Sequence, residues 1–185
     1  VHSLFYLEQL WEHATKADPY SYDKDTYLTP DSFTTAQLAA GGCLELADNI
    51  MAGEFNHGFA LIRPPGHHAT RHETMGFCFF NNVAVAARHA LDDRGLSRVA
   101  VVDFDVHHGN GTQAAFYDDP TVLYFSTHQY PFYPGSGMEA EKGHGKGLHY
   151  TINVPLPGGS GDKEYIDAFE KKLRPAALAF APEFV

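Results

Sequence analysis

Cysteine is scarce in this chain, since its 185 residues include only Cys43 and Cys78. Two cysteines are too few for a disulfide-stapled scaffold or for a zinc module built from four thiolates. Their scarcity also fits a reducing compartment, so we expect the protein to be cytoplasmic.

Positive charge and long apolar stretches are also scarce. The chain has 13 lysines and arginines against 23 aspartates and glutamates, which gives a net charge of −10. This balance argues against direct nucleic-acid binding and suits a cationic substrate such as a lysine-bearing tail or a polyamine. No stretch approaches the roughly 18 consecutive apolar residues of a membrane span, so we expect no membrane association.

What the chain does have is enough apolar material for one folded core. Hydrophobic residues make up 44% of the sequence and aromatic residues 14%, which is typical of a globular domain. Strand-like runs alternate with helical ones, which predicts an α/β domain with a parallel sheet and helices on both faces. The predicted elements are strands at 59–62, 98–104, 121–126 and 150–154, helices at 31–52 (capped by Asp31 and Ser32), 81–91, 111–117 and 163–173, a long loop at 129–149, and a final helix that leads into another strand.

The strand predicted at 98–104 runs directly into side chains that handle metals and protons. Residues 101–111 read VVDFDVHHGNG. On an extended backbone, alternate side chains face the same way, so Asp103, Asp105 and His107 point to one side. Carboxylate and imidazole ligands at the end of a parallel strand predict half of a divalent-metal site.

A second motif lies upstream, where another apolar run leads into proline, glycine and paired histidines. Residues 61–69 read LIRPPGHHA, and residues 76–82 read GFCFFNN. A turn preceded by proline and glycine can present both His67 and His68 to one cavity. Histidine titrates in the range that a general base and acid require, so the pair predicts proton transfer.

Together these blocks resemble the signatures of the zinc-dependent histone deacetylase family. The segments RPPGHHA, GFCFFNN and DFDVHHGNGT stand in family order and spacing. They are most similar to the class II and bacterial deacetylase branch, which includes acetylpolyamine amidohydrolase-like proteins. The resemblance implies a three-layer arginase/deacetylase-like α/β fold with a mostly parallel central sheet flanked by helices, which this chain contains incompletely.

Zinc is the first cofactor that the resemblance implies. Asp105 and His107 match two of the family's three Zn²⁺ ligands, and the third, an aspartate, is expected beyond the last residue. The tyrosine that donates to the oxyanion in the family is expected there too. Because the sequence opens on Val1 and not on methionine, we expect its natural start to be missing. Because the third ligand and the tyrosine are expected beyond Val185, we expect residues 1–185 to be a single deacetylase-like domain without its C-terminal part, and to be inactive alone.

The resemblance also implies a structural potassium ion, K⁺, beside the zinc. Its ligands would be oxygens of Asp103, Ser126 and Thr127, together with the carbonyl oxygens of Asp105 and His107. A cage of hard oxygen atoms suits a cation of this kind.

Catalytic roles follow from the same resemblance. His68, facing Asn110, would be the general base and then the general acid, and His67, facing Asp103, would give electrostatic support. Asn110 stands where class I relatives have aspartate, and a neutral amide stabilises an imidazolium less than a carboxylate does. A metal-activated water would attack the amide carbonyl and release acetate and a free amine.

Substrate contacts complete the implied site. Phe77 and Tyr133 match the aromatic walls of an acyl-lysine channel, where two rings hold an aliphatic stem. The Gly76 carbonyl would accept a hydrogen bond from the substrate amide, and Asp25 matches a rim aspartate that accepts from the substrate backbone. The predicted substrate is therefore an acetylated lysine peptide or an N-acetylpolyamine.

Two other functions remain open from the sequence. One is a catalytically silent module that binds acyl-lysine or serves as a subunit of a complex, and a missing third ligand in the intact protein would favour it. The other is a two-manganese hydrolase of the arginase-like fold, which needs more carboxylates at the strand end than Asp103 and Asp105 supply. The sequence does not indicate an oligomeric state.

Overall fold

The structure, a computed structural model, describes residues 1–16 and 18–185 as two compact units. The first unit comprises Val1–Ala90 and the second comprises Leu91–Val185. Within the described residues, no helix has the length and the apolar character that crossing a membrane requires.

The first unit contains helices and a short hairpin. The sequence predicted two of these helices, but it indicated neither the N-terminal helix nor the hairpin. The elements are helices α1 (Leu4–Ala14), α2 (Ser32–Met51) and α3 (Asn82–Asp92), and the antiparallel strands β1 (Tyr20–Ser21) and β2 (Tyr27–Leu28).

The core of this unit anchors the GFCFFNN segment. Tyr6 on α1 is 2% exposed, and its hydroxyl donates to the Phe79 carbonyl over 2.6 Å. Burial of a large apolar side chain contributes about 1.5–3 kcal/mol, so the aromatic residues dominate this core. Its buried members are Tyr6, Leu10, Leu28, Ala36, Phe79 and Phe80.

Helix α2 forms as predicted, and small residues make up its buried face. Its buried residues are all alanines, whereas Leu38 is 71% exposed. The Asp31 side chain, predicted as a cap, makes no capping hydrogen bond. The Ser32 hydroxyl accepts from the Thr29 N–H over 2.8 Å, so the turn before the helix is closed by serine.

The strand predicted at 59–62 is wrong. In the described part of the chain these residues pair with no strand, and Phe59 and Leu61 are 83% and 90% exposed. A strand needs a neighbour that satisfies its backbone N–H and C=O groups, and an apolar run does not by itself supply one.

A parallel sheet organises the second unit. Its strands β3 (Val99–Asp103), β4 (Val122–Gln129) and β5 (Thr151–Leu156) lie in the order β3-β4-β5 and are all parallel. Helix α4 (Asn110–Phe116) lies between β3 and β4 in the chain. The central strand β4 is buried along nearly its whole length, as expected of an apolar strand with neighbours on both sides.

The register of this sheet brings polar residues to one level. Asp103, Ser126 and Asn153 are paired across the three strands. Side chains paired in register point to the same face, whereas Thr127, one residue further on, points to the other face. One face of the sheet therefore presents a carboxylate, a hydroxyl and an amide near the carboxyl ends of the strands.

From Asp162 to Phe180 the chain is helical, and Pro175 does not break the helix. Pro175 lies at the start of α6, where its missing N–H costs little. The final residues return to the sheet, since Phe184 forms a parallel bridge with Val99. The helical segments are α5 (Asp162–Ala168), a π-helical segment (Phe169–Leu173) and α6 (Arg174–Phe180).

Candidate functional site

The paired histidines of the first unit lie in a tight turn with their rings in contact. The ring centroids of His67 and His68 are 4.1 Å apart, with 45° between the ring planes. A hydrogen bond of 3.0 Å from the Ala69 N–H to the Gly66 carbonyl closes the turn. His68 is only 4% exposed. The structure therefore brings the two histidines together and buries the one predicted as general base.

Close backbone packing locks this turn against the GFCFFNN segment. A Cβ atom at Gly66 would lie 2.5 Å from the Asn82 nitrogen and 2.7 Å from the Phe80 carbonyl oxygen. These atoms belong to the backbone and have little freedom to move, so only glycine fits. The packing explains why glycine precedes the paired histidines.

Two neighbouring asparagine side chains hold the same turn. The Asn82 amide donates to the Pro64 carbonyl over 3.0 Å, and the Asn81 amide donates to the Ala69 carbonyl over 3.3 Å. The Asn81 side-chain oxygen also accepts from the Ala84 N–H over 3.1 Å and so caps helix α3. The asparagine pair therefore orients the histidine turn from both of its ends.

His2 supports this arrangement and was not identified from the sequence. Its Nε2 accepts from the Asn81 N–H over 2.9 Å, and its Nδ1 therefore carries the proton and donates to the Thr70 carbonyl over 2.8 Å. Burial lowers the pKa of His2 to about 4. The ring is thus held neutral, because a protonated ring has no acceptor to offer Asn81.

Phe77, predicted as a channel wall, has an unusual backbone conformation. Gly76 and Phe77 have φ values of 54° and 66°, in a region that aromatic residues seldom adopt. The Phe77 N–H donates to the Thr26 hydroxyl over 3.1 Å, and the buried Cys78 thiol donates to the Gly76 carbonyl over 3.3 Å. The Phe77 side chain is 50% exposed, so its ring faces solvent within this unit.

Asp25, predicted as a rim residue, lies exposed between β1 and β2. The Asp23 carboxylate accepts from the Asp25 N–H over 2.9 Å and from the Thr26 N–H over 2.7 Å. Because Thr26 also holds Phe77, the turn that carries Asp25 is linked to the segment of the predicted channel wall.

In the second unit, strand β3 ends at Asp103 and the chain then bends. Asp103 Oδ1 accepts from the Asp105 N–H over 3.2 Å, and Asp105 Oδ1 accepts from the His107 N–H over 2.8 Å. The prediction of three residues alternating along one extended strand is wrong, because carboxylates that bond the backbone two residues on favour turns. The bend nevertheless brings His107 Nδ1 within 3.2 Å of Asp105 Oδ1.

Asp105 and His107 have the donor atoms and the spacing of two zinc ligands. Two ligands about 2.1 Å from a tetrahedral zinc ion lie roughly 3.4 Å apart, close to the observed 3.2 Å. Within residues 1–16 and 18–185, no group of three or more His, Cys, Asp or Glu side chains is placed to hold a metal ion. The pair therefore fits zinc as two of the three protein ligands that a catalytic site uses.

Two aromatic rings flank His107. The Phe132 ring stacks on the imidazole, with centroids 5.5 Å apart and planes at 16°, and the Tyr133 ring lies edge-on at 5.8 Å and 83°. Both aromatic side chains are partly exposed. The sequence predicted Tyr133 as a channel wall but missed Phe132, although the aromatic doublet before Pro134 was a signal for both.

Asp103 and Ser126 offer oxygen atoms on one face of the sheet. The Tyr124 hydroxyl lies 3.2 Å from both Asp103 Oδ2 and the Gly109 carbonyl oxygen, and burial raises the pKa of Tyr124 well above its usual value. Oxygen atoms of this kind suit a potassium ion. Thr127 fits such a site only through its carbonyl, because its side chain points to the opposite face.

The predicted partners of the first histidine pair belong to the other unit. His67 and His68 lie in the first unit, whereas Asp103 and Asn110 lie in the second. Asn110 is the first residue of α4, and its N–H donates to the His108 carbonyl over 2.9 Å. The pairings of His67 with Asp103 and of His68 with Asn110 stay predictions.

A buried polar network that was not predicted from the sequence begins at His108. His108 is 1% exposed, with Nε2 3.0 Å from Gln113 Oε1 and Nδ1 2.8 Å from the Ser136 hydroxyl. Gln113 Nε2 donates to Glu141 Oε2 over 2.6 Å. These contacts join the residue after His107 to the far end of the loop that carries Phe132.

The two histidine rings of this network are neutral. Burial, together with the nearby ring of His128, lowers the pKa of His108 to about 4. Burial also lowers the pKa of His128, whose Nε2 donates to the Gly137 carbonyl over 2.8 Å. The two ring centroids are 4.8 Å apart, so protonating both rings would place like charges in contact.

The chain is similar to a known protein family and to individual members of that family. The model of the family described as "Histone deacetylase domain" matches residues 1–185. The chain is 49% identical over 165 residues to "Histone deacetylase 14, chloroplastic" of Arabidopsis thaliana, covering 86% of this chain and 39% of that protein. It is 45% identical over 197 residues to "Polyamine deacetylase HDAC10" of Rattus norvegicus, covering 100% of this chain and 33% of that protein. It is 45% identical over 163 residues to a "Probable deacetylase" of Archaeoglobus fulgidus, covering 88% and 45%.

The chain spans less than half the length of each of these three relatives. One of them is chloroplastic by name, and the cytoplasmic location of this chain stays a prediction. Among solved structures, the crystal structure of the HDA15 HD domain matches with a TM-score of 0.96 and 45% identity, covering 100% of this chain and 54% of that one. This match confirms the predicted arginase/deacetylase-like α/β fold class. Because the family match extends over every residue, the chain belongs to the histone deacetylase family.

Proposed function

We propose that the protein is a zinc-dependent deacetylase that hydrolyses the acetyl amide of an N-acetyl-lysine side chain or an N-acetylpolyamine. The observation that carries the proposal is the Asp105–His107 pair, whose carboxylate oxygen and imidazole nitrogen lie 3.2 Å apart at the end of a parallel strand. Family membership supports deacetylation as the reaction, because the similar proteins are deacetylases by name.

Asp105 and His107 would hold the zinc ion with one further carboxylate. When bound, zinc would supply a Lewis acid that polarises the amide carbonyl and acidifies water. The bend that orients the two ligands is made by hydrogen bonds from backbone N–H groups to the carboxylates of Asp103 and Asp105.

Proton transfer would be carried by the histidine pair. His68 would take the proton of the attacking water and give it to the leaving amine, with Asn110 as its partner, while His67 and Asp103 would supply electrostatic support. The hydrogen bonds that hold the histidine turn favour this role, because a general base must be kept in one orientation. Hydrolysis consumes one water and yields acetate and the free amine.

Substrate selection would rest on the channel residues and on overall charge. Phe77 and Tyr133 would hold the aliphatic stem, with Gly76 and Asp25 as polar contacts. The net charge of −10 suits a substrate that carries positive charge elsewhere. One similar protein is a polyamine deacetylase and another a histone deacetylase by name, so both substrate classes belong in the test. A structural potassium ion at Asp103, Ser126 and the Thr127 carbonyl is part of the proposal.

The test is metal analysis of the intact protein together with assays on an acetyl-lysine peptide and an acetylpolyamine. We expect about one zinc per chain and hydrolysis of at least one substrate. Asp105→Ala should abolish zinc binding, whereas Asp118→Ala should not, although Asp118 forms a similar pair with His144 at 2.8 Å. His68→Ala should keep zinc and lower kcat by about 10²–10⁴, while the exposed His57→Ala should change neither.

Three outcomes would contradict the proposal. A folded protein without zinc and without hydrolysis would indicate the silent acyl-lysine-binding module. Two manganese ions per chain would indicate the arginase-like alternative. Full activity in His68→Ala would remove the proposed base.

A further inference from the structure

Glu141 connects three separate parts of the second unit through its carboxylate and its backbone carbonyl. Its Oε1 accepts from the Gly137 N–H over 3.0 Å and from the Met138 N–H over 2.9 Å. Its Oε2 accepts from Gln113 Nε2 over 2.6 Å. Its backbone carbonyl accepts from Asn153 Nδ2 over 3.1 Å. A single residue therefore ties the loop after β4 to helix α4 and to strand β5.

The chemistry of Glu141 sets the direction of the hydrogen bonds around it. A carboxylate only accepts, so the Gln113 amide must turn its NH₂ group toward Glu141 and its oxygen toward His108 and Asn153. Asn153 Nδ2 then donates to Gln113 Oε1 over 2.7 Å. His108 must likewise donate from Nε2 and accept from the Ser136 hydroxyl at Nδ1.

This network reaches the proposed zinc ligand along two routes. His108 follows His107 directly, so fixing the His108 ring fixes the backbone of the ligand. Ser136 and Gly137 follow the doublet Phe132-Tyr133, whose rings contact the His107 imidazole.

The fit at Gly137 is close. Gly137 has a φ of 94°, and a Cβ atom there would lie 2.4 Å from His128 Nε2 and 2.6 Å from His108 Cγ. The loop is therefore held at this point by its glycine as well as by Glu141.

We propose that Glu141 is a positioning residue: through Gln113, His108 and the Gly137 N–H, it holds Phe132 and Tyr133 against His107. The inference rests on the proposed function, because it assigns Tyr133 to the wall that receives the acyl-lysine stem. Glu141 touches neither metal nor substrate, and it acts only through the orientation of the loop.

The substitution Glu141→Gln tests the direction of the hydrogen bonds in the network, because glutamine and glutamate have nearly the same shape. The new amide can still accept from Gly137 and Met138, but its NH₂ group then faces the NH₂ group of Gln113. Turning Gln113 over would place its NH₂ group against His108 Nε2 and Asn153 Nδ2, so His108 would have to move its proton to Nδ1. We expect KM for the substrate to rise about tenfold and kcat to change less than about twofold, because the lost contact is one of binding.

The exchanged double variant Gln113→Glu with Glu141→Gln should restore the network. In that variant the amide at position 141 donates to the carboxylate at position 113, whose second oxygen accepts from His108 and Asn153. We expect KM to return to within about twofold of the wild-type value, a non-additive result that two unrelated losses would not give. Glu139→Gln is the matched control, since Glu139 lies in the same loop and, in the described part of the chain, pairs with Lys172 on the surface at 3.1 Å.

Nitrogen-15 NMR of histidine-labelled intact protein supplies a readout that does not depend on activity. We expect the Nε2–H form of His108 in the wild type and the exchanged variant, and the Nδ1–H form in Glu141→Gln. If the wild type proves to have no zinc and no activity, the proposed function fails, and the NMR comparison still decides whether Glu141 directs the network. An unchanged His108 tautomer in Glu141→Gln, or equal KM values in Glu141→Gln and Glu139→Gln, would overturn the inference.

Discussion

The chain contains two His-His pairs, and the two units hold them in opposite ways. His67 and His68 keep their rings together, 4.1 Å apart, in a turn that is fixed from outside by glycine packing and by two asparagine side chains. The two rings are thus close enough to act in the same site. The turn itself carries no carboxylate.

The rings of His107 and His108 lie in different surroundings. His107 stays partly exposed between Phe132 and Tyr133, near the Asp105 carboxylate. His108 is 1% exposed and bonded on both nitrogens. The same dipeptide therefore gives the proposed proton-transfer pair in one unit, and in the other a candidate metal ligand beside a structural residue.

The largest effect should come from the packing behind the first pair. Gly66→Ala would push a methyl group into the backbone at Phe80 and Asn82, which cannot retreat without moving α3. We expect a loss of at least about 3 kcal/mol in the free energy of unfolding, measured by urea denaturation. Gly41→Ala, where no atom lies within 4 Å of the added Cβ, should instead stabilise α2 by about 0.5–1 kcal/mol. Equal effects of the two variants would refute the packing argument.

His108 of the second pair should make the stability of the protein sensitive to acid. His108 has its pKa lowered to about 4 in the folded state by burial, against an ordinary value near 6.5, so the unfolded chain binds the proton first. The contribution of His108 to stability is therefore complete above about pH 6.5, and about 3 kcal/mol of it is lost as the pH is lowered toward 4. Unfolding of the metal-free wild type at pH 7 and pH 4 measures this loss.

His108→Gln should lose about 3 kcal/mol less than the wild type over the same pH range, because the glutamine does not titrate. His144→Gln, at an exposed histidine, should behave like the wild type. If His108→Gln keeps the full pH dependence, His108 is not the group responsible.

The next effect concerns the asparagine side chains that hold the first pair. Asn82→Ala leaves the Pro64 carbonyl without its side-chain donor, which should cost about 1–3 kcal/mol of unfolding free energy. The first histidine turn should loosen, seen as faster amide exchange at Ala69. Asn49→Ala, which removes an exposed bond within α2, should cost less than about 0.5 kcal/mol. If Asn82→Ala leaves the free energy of unfolding unchanged, glycine packing alone holds the turn.

The smallest effect should be seen at the aromatic neighbour of the second pair. Phe132→Leu removes the ring stacked on His107 and should weaken zinc binding by about three- to tenfold, the value of one aromatic contact. Competition with a chromogenic chelator measures this change. Phe55→Leu, at another partly exposed phenylalanine, should leave zinc affinity unchanged, and an equal loss in both variants would contradict a specific role for the stacking.

Sequence reasoning placed the candidate metal ligands at the end of a strand because they lie close together in the chain, whereas the channel, rim and potassium residues came from the family resemblance. Asp103, Asp105 and His107 follow a predictable buried strand, and strands β3, β4 and β5 appear at the predicted places. The bend after Asp103 was missed, since a motif of alternating residues favours an extended strand, and only hydrogen bonds to the carboxylates reverse that preference.

The residues that support these motifs were missed for a different reason. His2 bonds Asn81, which lies 79 residues away, and Gln113 bonds Glu141 across 28 residues. Neither pair has a sequence pattern, because long-range polar partners are chosen by the fold. Helix α1 was overlooked although it carries local signals, since the Ser3 hydroxyl accepts from the Tyr6 N–H at its start and its buried residues Tyr6, Leu10 and Ala14 recur at helical spacing.

The left-handed conformation of Phe77 has a consequence for directed evolution. A library at this position would be filtered by backbone geometry before it is filtered by activity, since β-branched residues such as valine and isoleucine are the least compatible with a φ of 66°. Asparagine and glycine tolerate this backbone conformation, but they would remove the proposed aromatic wall. Attempts to change acyl-chain preference should therefore vary Tyr133, whose φ is not in that region, and leave Phe77 in place.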